Sequence, residues 1–455
     1  MPGKDQGAGR PLFTRSELLR LVIPLVIEQF LLMTVGMADT VMVTTSGEAV
    51  VSGVSLVDNI NTLIIQIFSA LSTGGAVVVA QYLGRRESGN AKLASKQLLY
   101  TMTAVSVFLM AGALIFRQHI LTLLFGHVEQ DVMDSALVYF LLTAAAYPLM
   151  GIYNAGSALF RAMGNSNVSM FCSLIVNIVN ITVNAVLIYG FGMGAAGAGI
   201  GTLVSRVAAA VIIMALLGHK NNTVRVEGVF RFEFRGDMVK RILFVGIPNG
   251  LENGMFQAGK LVVLNLIATF GTSAVAANAI ANSITGVVNV PGMSIGLAII
   301  TVVGRCMGAG ETGQAIHYTK RLVGASYACM LVMSAGLFFF ADTLVSWFNL
   351  TPQAVQMAGQ VLRACAVGNV LFWPMAFTLP NSLRAAGDAV FTMGVSLCSM
   401  FACRVALSYV LACEWGLGLG LLGVWLAMIA DWVVRAVFFL ARYRQGKWKR
   451  IKVIG

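Results

Sequence analysis

Charge is scarce in this chain. Asp, Glu, Lys and Arg together make up 11% of its 455 residues, against about 25% in a soluble domain. Its four histidines form no cluster. The seven cysteines, at 172, 306, 329, 365, 398, 403 and 413, lie mostly inside apolar runs. With no CxxC and no Cys/His spacing, they read as small apolar side chains, which excludes a zinc or disulfide framework. HExxH is absent, no paired acids stand near a histidine, and no nucleotide-binding motif has its proper context. The expectation is a protein that is not an enzyme and needs no cofactor. Residues 1–17 are polar and basic, so no cleavable signal peptide is expected there.

Apolar residues are what the chain has in plenty. They make up 58% of it, and the mean hydropathy is +0.81. A core in water cannot hide that much apolar surface. The expected class is an all-α polytopic membrane protein, each span needing about 20 mostly apolar residues. Twelve segments qualify: 18–44, 50–80, 94–116, 133–160, 166–189, 194–217, 238–270, 273–304, 318–340, 354–380, 388–412 and 418–441. Pro24, Pro148, Pro248, Pro291, Pro374 and Pro380 are the expected kink points, because proline removes a backbone donor. The net charge of +12 is distributed by loop. Every second loop is basic, from Arg85 and Arg86 through Arg161, the central loop, Arg305 and Arg384 to the tail after Arg442. The other loops hold Arg117 as their only base. The positive-inside rule then puts both termini in the cytoplasm of a multi-pass plasma-membrane protein. The basic excess faces anionic lipid, and no nucleic-acid partner is expected.

The sequence also repeats. Pro24 and Glu28 in "LVIPLVIEQF" recur as Pro248 and Glu252 in "FVGIPNGLEN" at an offset of 224. The same offset lays "GRRESGNAKLASK" on "GAGETGQAIHYTK", and an offset of 223 lays "LFRAMGN" on "SLRAAGD". Six spans that begin each time on the same side imply two halves related by rotation about the membrane normal. The expected organisation is an N-terminal segment (1–17), a first six-helix bundle (18–217), a linker (218–237), a second bundle (238–441) and a basic tail (442–455). The G-x-G-x-x-G at 192–197 recurs at 418–423. It lacks a βαβ context, so it reads as a turn with close helix packing.

Ionisable residues at membrane depth are costly and should face a cavity or a partner. The acids are Glu28, Asp39, Asp58, Glu252 and Asp431; the bases are Arg206, Lys260, Arg363, Arg404 and Arg435. Asp431 and Arg435 are spaced for an i,i+4 pair. Asp58 and Arg363 read as interface residues. Glu28 and Asp39 are eleven residues apart, on one helix face and about 16 Å apart along the axis. Glu28 and Glu252, equivalent by the repeat, either face one central cavity or brace helices broken by proline; Lys260 is a further cavity candidate. Asp39 has no acidic counterpart, since the offset puts Val263 there. Asn180, Asn184, Thr202 and Tyr139 should lie at its depth. Such an oxygen-rich set suits Na⁺, or a carboxylate that carries a proton.

At this point the sequence resembles a known family, the MATE multidrug and toxin extruders, over nearly its whole length. "EQFLLMTVGMADTVMV", "VVVAQYLGRRESGNAK", "SALFRAMGN", "GTSAVAANAIANSI", "SLRAAGD" and the repeat carry the resemblance. It implies two six-helix bundles around a V-shaped cavity, alternating access, and export of cationic, amphipathic compounds in exchange for H⁺ or Na⁺. The family's first-bundle cation site maps onto Asp39, Asn180, position 184 and Thr202. Asn184 stands where the family has Asp, which leaves one formal charge. The NorM-like branch has an acid on span ten, which is missing here, and a Glu near Gln257. The arrangement therefore reads as closer to DinF-like transporters. The expected partners are organic cations and lipid, with the chain acting as a monomer. Three alternatives remain: a lipid-linked glycan flippase using Lys260, Arg206 and Arg404, a channel, or a membrane-embedded enzyme.

Overall fold

The computed structural model describes residues 11–126, 128–220, 222–226, 233–348 and 350–454. Residues 1–10 of the expected N-terminal segment and 227–232 of the expected linker lie outside them. No strand occurs among the described residues, and the chain folds into twelve long helical segments. In the first half these are α1 (Arg15–Val43), α2 (Glu48–Gly84), α3 (Ser88–Phe125), α4 (Gln130–Ala145 continued by Tyr147–Ala162), α5 (Ser166–Gly190) and α6 (Gly194–Leu217). The second half has α7 (Gly236–Ala268), α8 (Thr272–Gly308), α9 (Thr312–Ser346), α10 (Pro352–Leu371 continued by Pro374–Ala385), α11 (Ala389–Ala412) and α12 (Gly420–Gln445).

Local chemistry explains the boundaries. Thr14 caps α1 by accepting from the Glu17 N–H, while the Glu17 carboxylate accepts from the Thr14 N–H at 2.7 Å. This reciprocal box satisfies two donors that a helix start leaves free. Gly47 and Gly271, equivalent by the repeat, enter α2 and α8 with φ of +103° and +96°, which only glycine adopts without strain. Of the proline sites, only two regions break a helix. Chain direction changes by 46° just before Pro148 in α4 and by 61° around Pro374 in α10. Pro24, Pro248 and Pro291 stand inside uninterrupted helices.

Apolar packing forms one core in each half and a third shared between them. The shared core joins Leu18, Leu21 and Leu25 of α1 to Ile299, Val302 and Val303 of α8, and to Trp448 of the tail. It lies at the end of the helices that carries the basic loops. Among the described residues, every hydrogen bond between the halves lies toward this end. Ser294 donates to the Leu25 carbonyl, Gln81 to the Ala385 carbonyl, Arg305 to the Ala162 carbonyl and Arg85 to the Ile454 carbonyl. The backbones also touch. A Cβ added at Gly84 would overlap the Arg305 carbonyl, and one at Gly308 would overlap the Gln81 carbonyl. These two glycines are themselves repeat equivalents. The halves thus make a V that is shut at the basic end. Phe108, Leu123, Phe339 and Trp347 are exposed on outer surfaces, where only an apolar solvent suits them.

Candidate ion and substrate site

The outer part of α1 packs on α5 through amides. Asn177 donates to the Leu31 carbonyl at 3.1 Å, and Asn184 Nδ2 donates to Asp39 Oδ1 at 2.6 Å. The same Nδ2 lies 3.3 Å from Asn180 Oδ1. Gly201 of α6 makes room for this, because a Cβ there would overlap Asn184 Oδ1. Asp39, Asn180 and Asn184 therefore meet as the spacing suggests, but the amides stand behind the carboxylate. Both asparagines are buried and neither lines the adjoining cavity. Asn184 presents a donor to Asp39, which is chemistry that a carboxylate at 184 cannot supply.

In front of Asp39 lies a cavity of about 300 Å³, lined among others by Asp58, Asn61, Tyr139, Thr202 and Arg206. Thr202 and Tyr139 are thus at the expected place. Tyr139, however, donates to Asp58 Oδ1 at 3.1 Å, so it belongs to the second acid. Asn61 Nδ2 is 3.4 Å from the same oxygen and accepts from Tyr147 at 3.0 Å. Arg206 Nε is buried without a hydrogen-bond partner. Asp58 and Arg206 are the residues that sequence reasoning undervalued. The signal was available: α2 and α6 each carry one ionisable residue at the depth of Asp39. A second depression, of about 580 Å³, lies at the shut end beside Phe13, Glu311 and His317, away from these acids.

The two glutamates do not form a pair across the cavity. Glu28 is 2% exposed. It accepts from Ser157 at 3.2 Å and pairs with Arg161 at 3.4 Å. Glu252 accepts from Ser396 at 2.7 Å and pairs with Arg384 at 2.6 Å. Each half thus holds its own acid with the arginine of its own fourth helix. The placement in a central cavity is corrected accordingly, and the physical reason is a buried charge's need for an opposite one. The repeat had located all four residues, Arg161 and Arg384 lying in "LFRAMGN" and "SLRAAGD". Gln257 is half-buried and makes no hydrogen bond among the described residues. Lys260 is exposed, with its ammonium 5.0 Å from the centre of the Phe256 ring. Asp431 and Arg435 form the expected pair at 2.9 Å. Arg206 stands among the first half's acids, so it does not converge with Lys260 and Arg404 on a pyrophosphate site.

Comparison with known proteins bears on this geometry. A probable multidrug resistance protein NorM of Thermotoga maritima is 26% identical over 97% of this chain and 94% of its own length. An uncharacterized transporter, YisQ, of Bacillus subtilis is 26% identical over 98% and 97%. Among solved structures, an outward-facing multidrug resistance MATE family transporter of the MOP superfamily superposes with a TM-score of 0.89. It is 22% identical, with 96% of each chain covered, and shows the same fold. The MatE family model matches residues 24–186 and again 248–410, the two halves that the repeat and the twelve helices define. The chain belongs to the MatE family.

Proposed function

We propose that this protein is a secondary active multidrug exporter of the plasma membrane. In this reading it antiports organic cations against protons by alternating access, works as a monomer and keeps both termini in the cytoplasm. The names of its relatives support the transport class, and the positive-inside pattern supports the orientation. The shut end carries the basic loops, so the form described here is open to the outside.

The observation that carries the reading is the charge around the 300 Å³ cavity. Asp39 and Asp58 supply two negative charges and Arg206 one positive. One negative charge is left over at membrane depth, where uncompensated charge is costly. One proton cancels it, and so does one monovalent organic cation. Both together would leave the site positive, so each excludes the other, and mutual exclusion is what antiport requires. A proton suits this cavity better than Na⁺ for two reasons. Asn184 places an N–H against Asp39 where a bridging metal would need an oxygen, and Arg206 already puts a cation into the same space. A proton entering from outside favours release of the drug and closure of the outer mouth. One proton exchanged for one monovalent cation moves no net charge, so the pH difference and not the membrane potential supplies the drive.

Dye efflux tests this. Inverted vesicles holding the protein should accumulate a fluorescent organic cation under an imposed proton gradient and not under a Na⁺ gradient. Asp39→Asn should abolish that uptake. Transport driven by Na⁺ alone would overturn the choice of ion, and unchanged transport by Asp39→Asn would overturn the site.

A further inference from the structure

The second half carries the opposite charge at the corresponding depth. At the repeat offset of 224, Asp39 corresponds to Val263, so the acid becomes apolar. Three cations gather on one aromatic ring. Lys260 Nζ lies 5.0 Å from the Phe256 ring centre, and the guanidinium carbons of Arg404 and Arg435 lie 4.7 Å and 5.5 Å from it. Arg435 is neutralised, bonding to Asp431 at 2.9 Å and donating to the Ser396 carbonyl at 3.1 Å. The other nearby carboxylate, Glu252, is taken by Arg384. Lys260 and Arg404 form no salt bridge among the described residues. Arg404 is only 6% exposed, and its buried Nη1 has no hydrogen-bond partner. Lys260 is exposed, on the part of α7 beyond the shut end.

A ring face offers a cation some attraction but no charge to cancel it. Asp431 is the one carboxylate among these three cations, so two positive charges remain in excess on facing helices, with a guanidinium N–H left unbonded. A planar carboxylate or a phosphate oxygen supplies what Arg404 is missing, since guanidinium geometry matches both. We propose that Lys260 and Arg404 form an anion-binding subsite in the second half, which takes the anionic group of an amphiphilic ligand whose cationic part is met by Asp39 and Asp58. This rests on the exporter reading and narrows it. The preferred substrates are zwitterionic amphiphiles, held between an acidic half and a basic half. A lipid phosphate entering sideways from the bilayer offers the same chemistry.

Binding to the purified full-length protein in phosphatidylcholine nanodiscs tests the subsite apart from transport. Rhodamine 110, with a free carboxylate on a cationic ring system, is compared with its methyl ester rhodamine 123 by fluorescence polarisation. Wild type should bind the free acid at least roughly tenfold more tightly than the ester, the order expected of one extra charge-assisted contact. Lys260→Gln and Arg404→Gln should each remove that preference and leave the ester's affinity unchanged. Lys260→Gln changes an exposed side chain, so it answers the question even where Arg404→Gln fails to fold. Equal wild-type affinities, or variants that weaken both dyes alike, would overturn the subsite. Adding phosphatidylglycerol separates the two sources. Weaker rhodamine 110 binding in wild type but not in Lys260→Gln identifies a lipid phosphate as occupant, while no change identifies the ligand's own anion; either result presupposes the acid preference. Loss of gradient-driven efflux with the acid preference intact would count against the exporter reading and not against the subsite.

Discussion

The two halves agree at one level and part company at another. Toward the shut end each encloses a glutamate from its first helix with an arginine from its fourth, Glu28 with Arg161 and Glu252 with Arg384. Toward the open end the first half presents Asp39 and Asp58, whereas the second presents Lys260 and Arg404. The level that braces each bundle is symmetric, and the level proposed to meet a ligand is not. A fold made of two like halves needs equal bracing in both, but nothing obliges both to hold the same ligand chemistry. Even the shared brace differs in detail, since the second pair is 2.6 Å apart and the first 3.4 Å.

The comparison can be broken at its most unequal point first. Asp39→Asn should abolish proton-driven efflux, while Val263→Asn, its counterpart, should leave proton coupling in place. Next comes the shared level. Glu252→Gln leaves Arg384 buried without an anion and should lower stability by about 3 kcal/mol, as when one partner of a buried ion pair is removed. Glu28→Gln should cost less, because its pair is longer; ranking the two by thermal unfolding in detergent decides the matter. Gly201→Ala should displace Asn184 from Asp39. The overpacking is of the order that costs about 1–2 kcal/mol, so efflux should fall about tenfold with the helical circular dichroism unchanged. The smallest effect is expected of Ser396→Ala. It removes one donor to Glu252 and should lower stability by about 1 kcal/mol with no change in dye binding.

Much of this was readable from the residues alone. Twelve apolar runs gave twelve helical segments, with ends usually within a few residues, because burial in lipid leaves composition little freedom. Helix α7 is the instructive one. Glu252, Asn253, Gln257 and Lys260 dilute the run at 238–270, and the repeat marks it as the partner of α1. The repeat also found both arginines of the two braces. It could not pair them with the glutamates, because equivalence between halves says nothing of contact within one. Asp39 with Asn184 was legible from depth and helix face. Asp58 and Arg206 were not joined to them, since the rotation of α2 and α6 about their own axes is set by packing against neighbours. Of the six proline sites, Pro148, Pro374 and Pro380 lie where a helix breaks, while Pro24, Pro248 and Pro291 lie inside continuous helices.

The meeting of Gly84 with the Arg305 carbonyl, and of Gly308 with the Gln81 carbonyl, has a consequence for timing. Where side chains cushion an interface, it can loosen by degrees as rotamers change. Here backbone rests on backbone, at two points of one crossing between α2 and α8, so the crossing is expected to part as a unit rather than by degrees. Moving such a crossing from one part in a hundred open to ninety-nine requires a differential affinity of about 5.5 kcal/mol. If export runs through this end, as proposed, turnover is paced by how often this one crossing lets go.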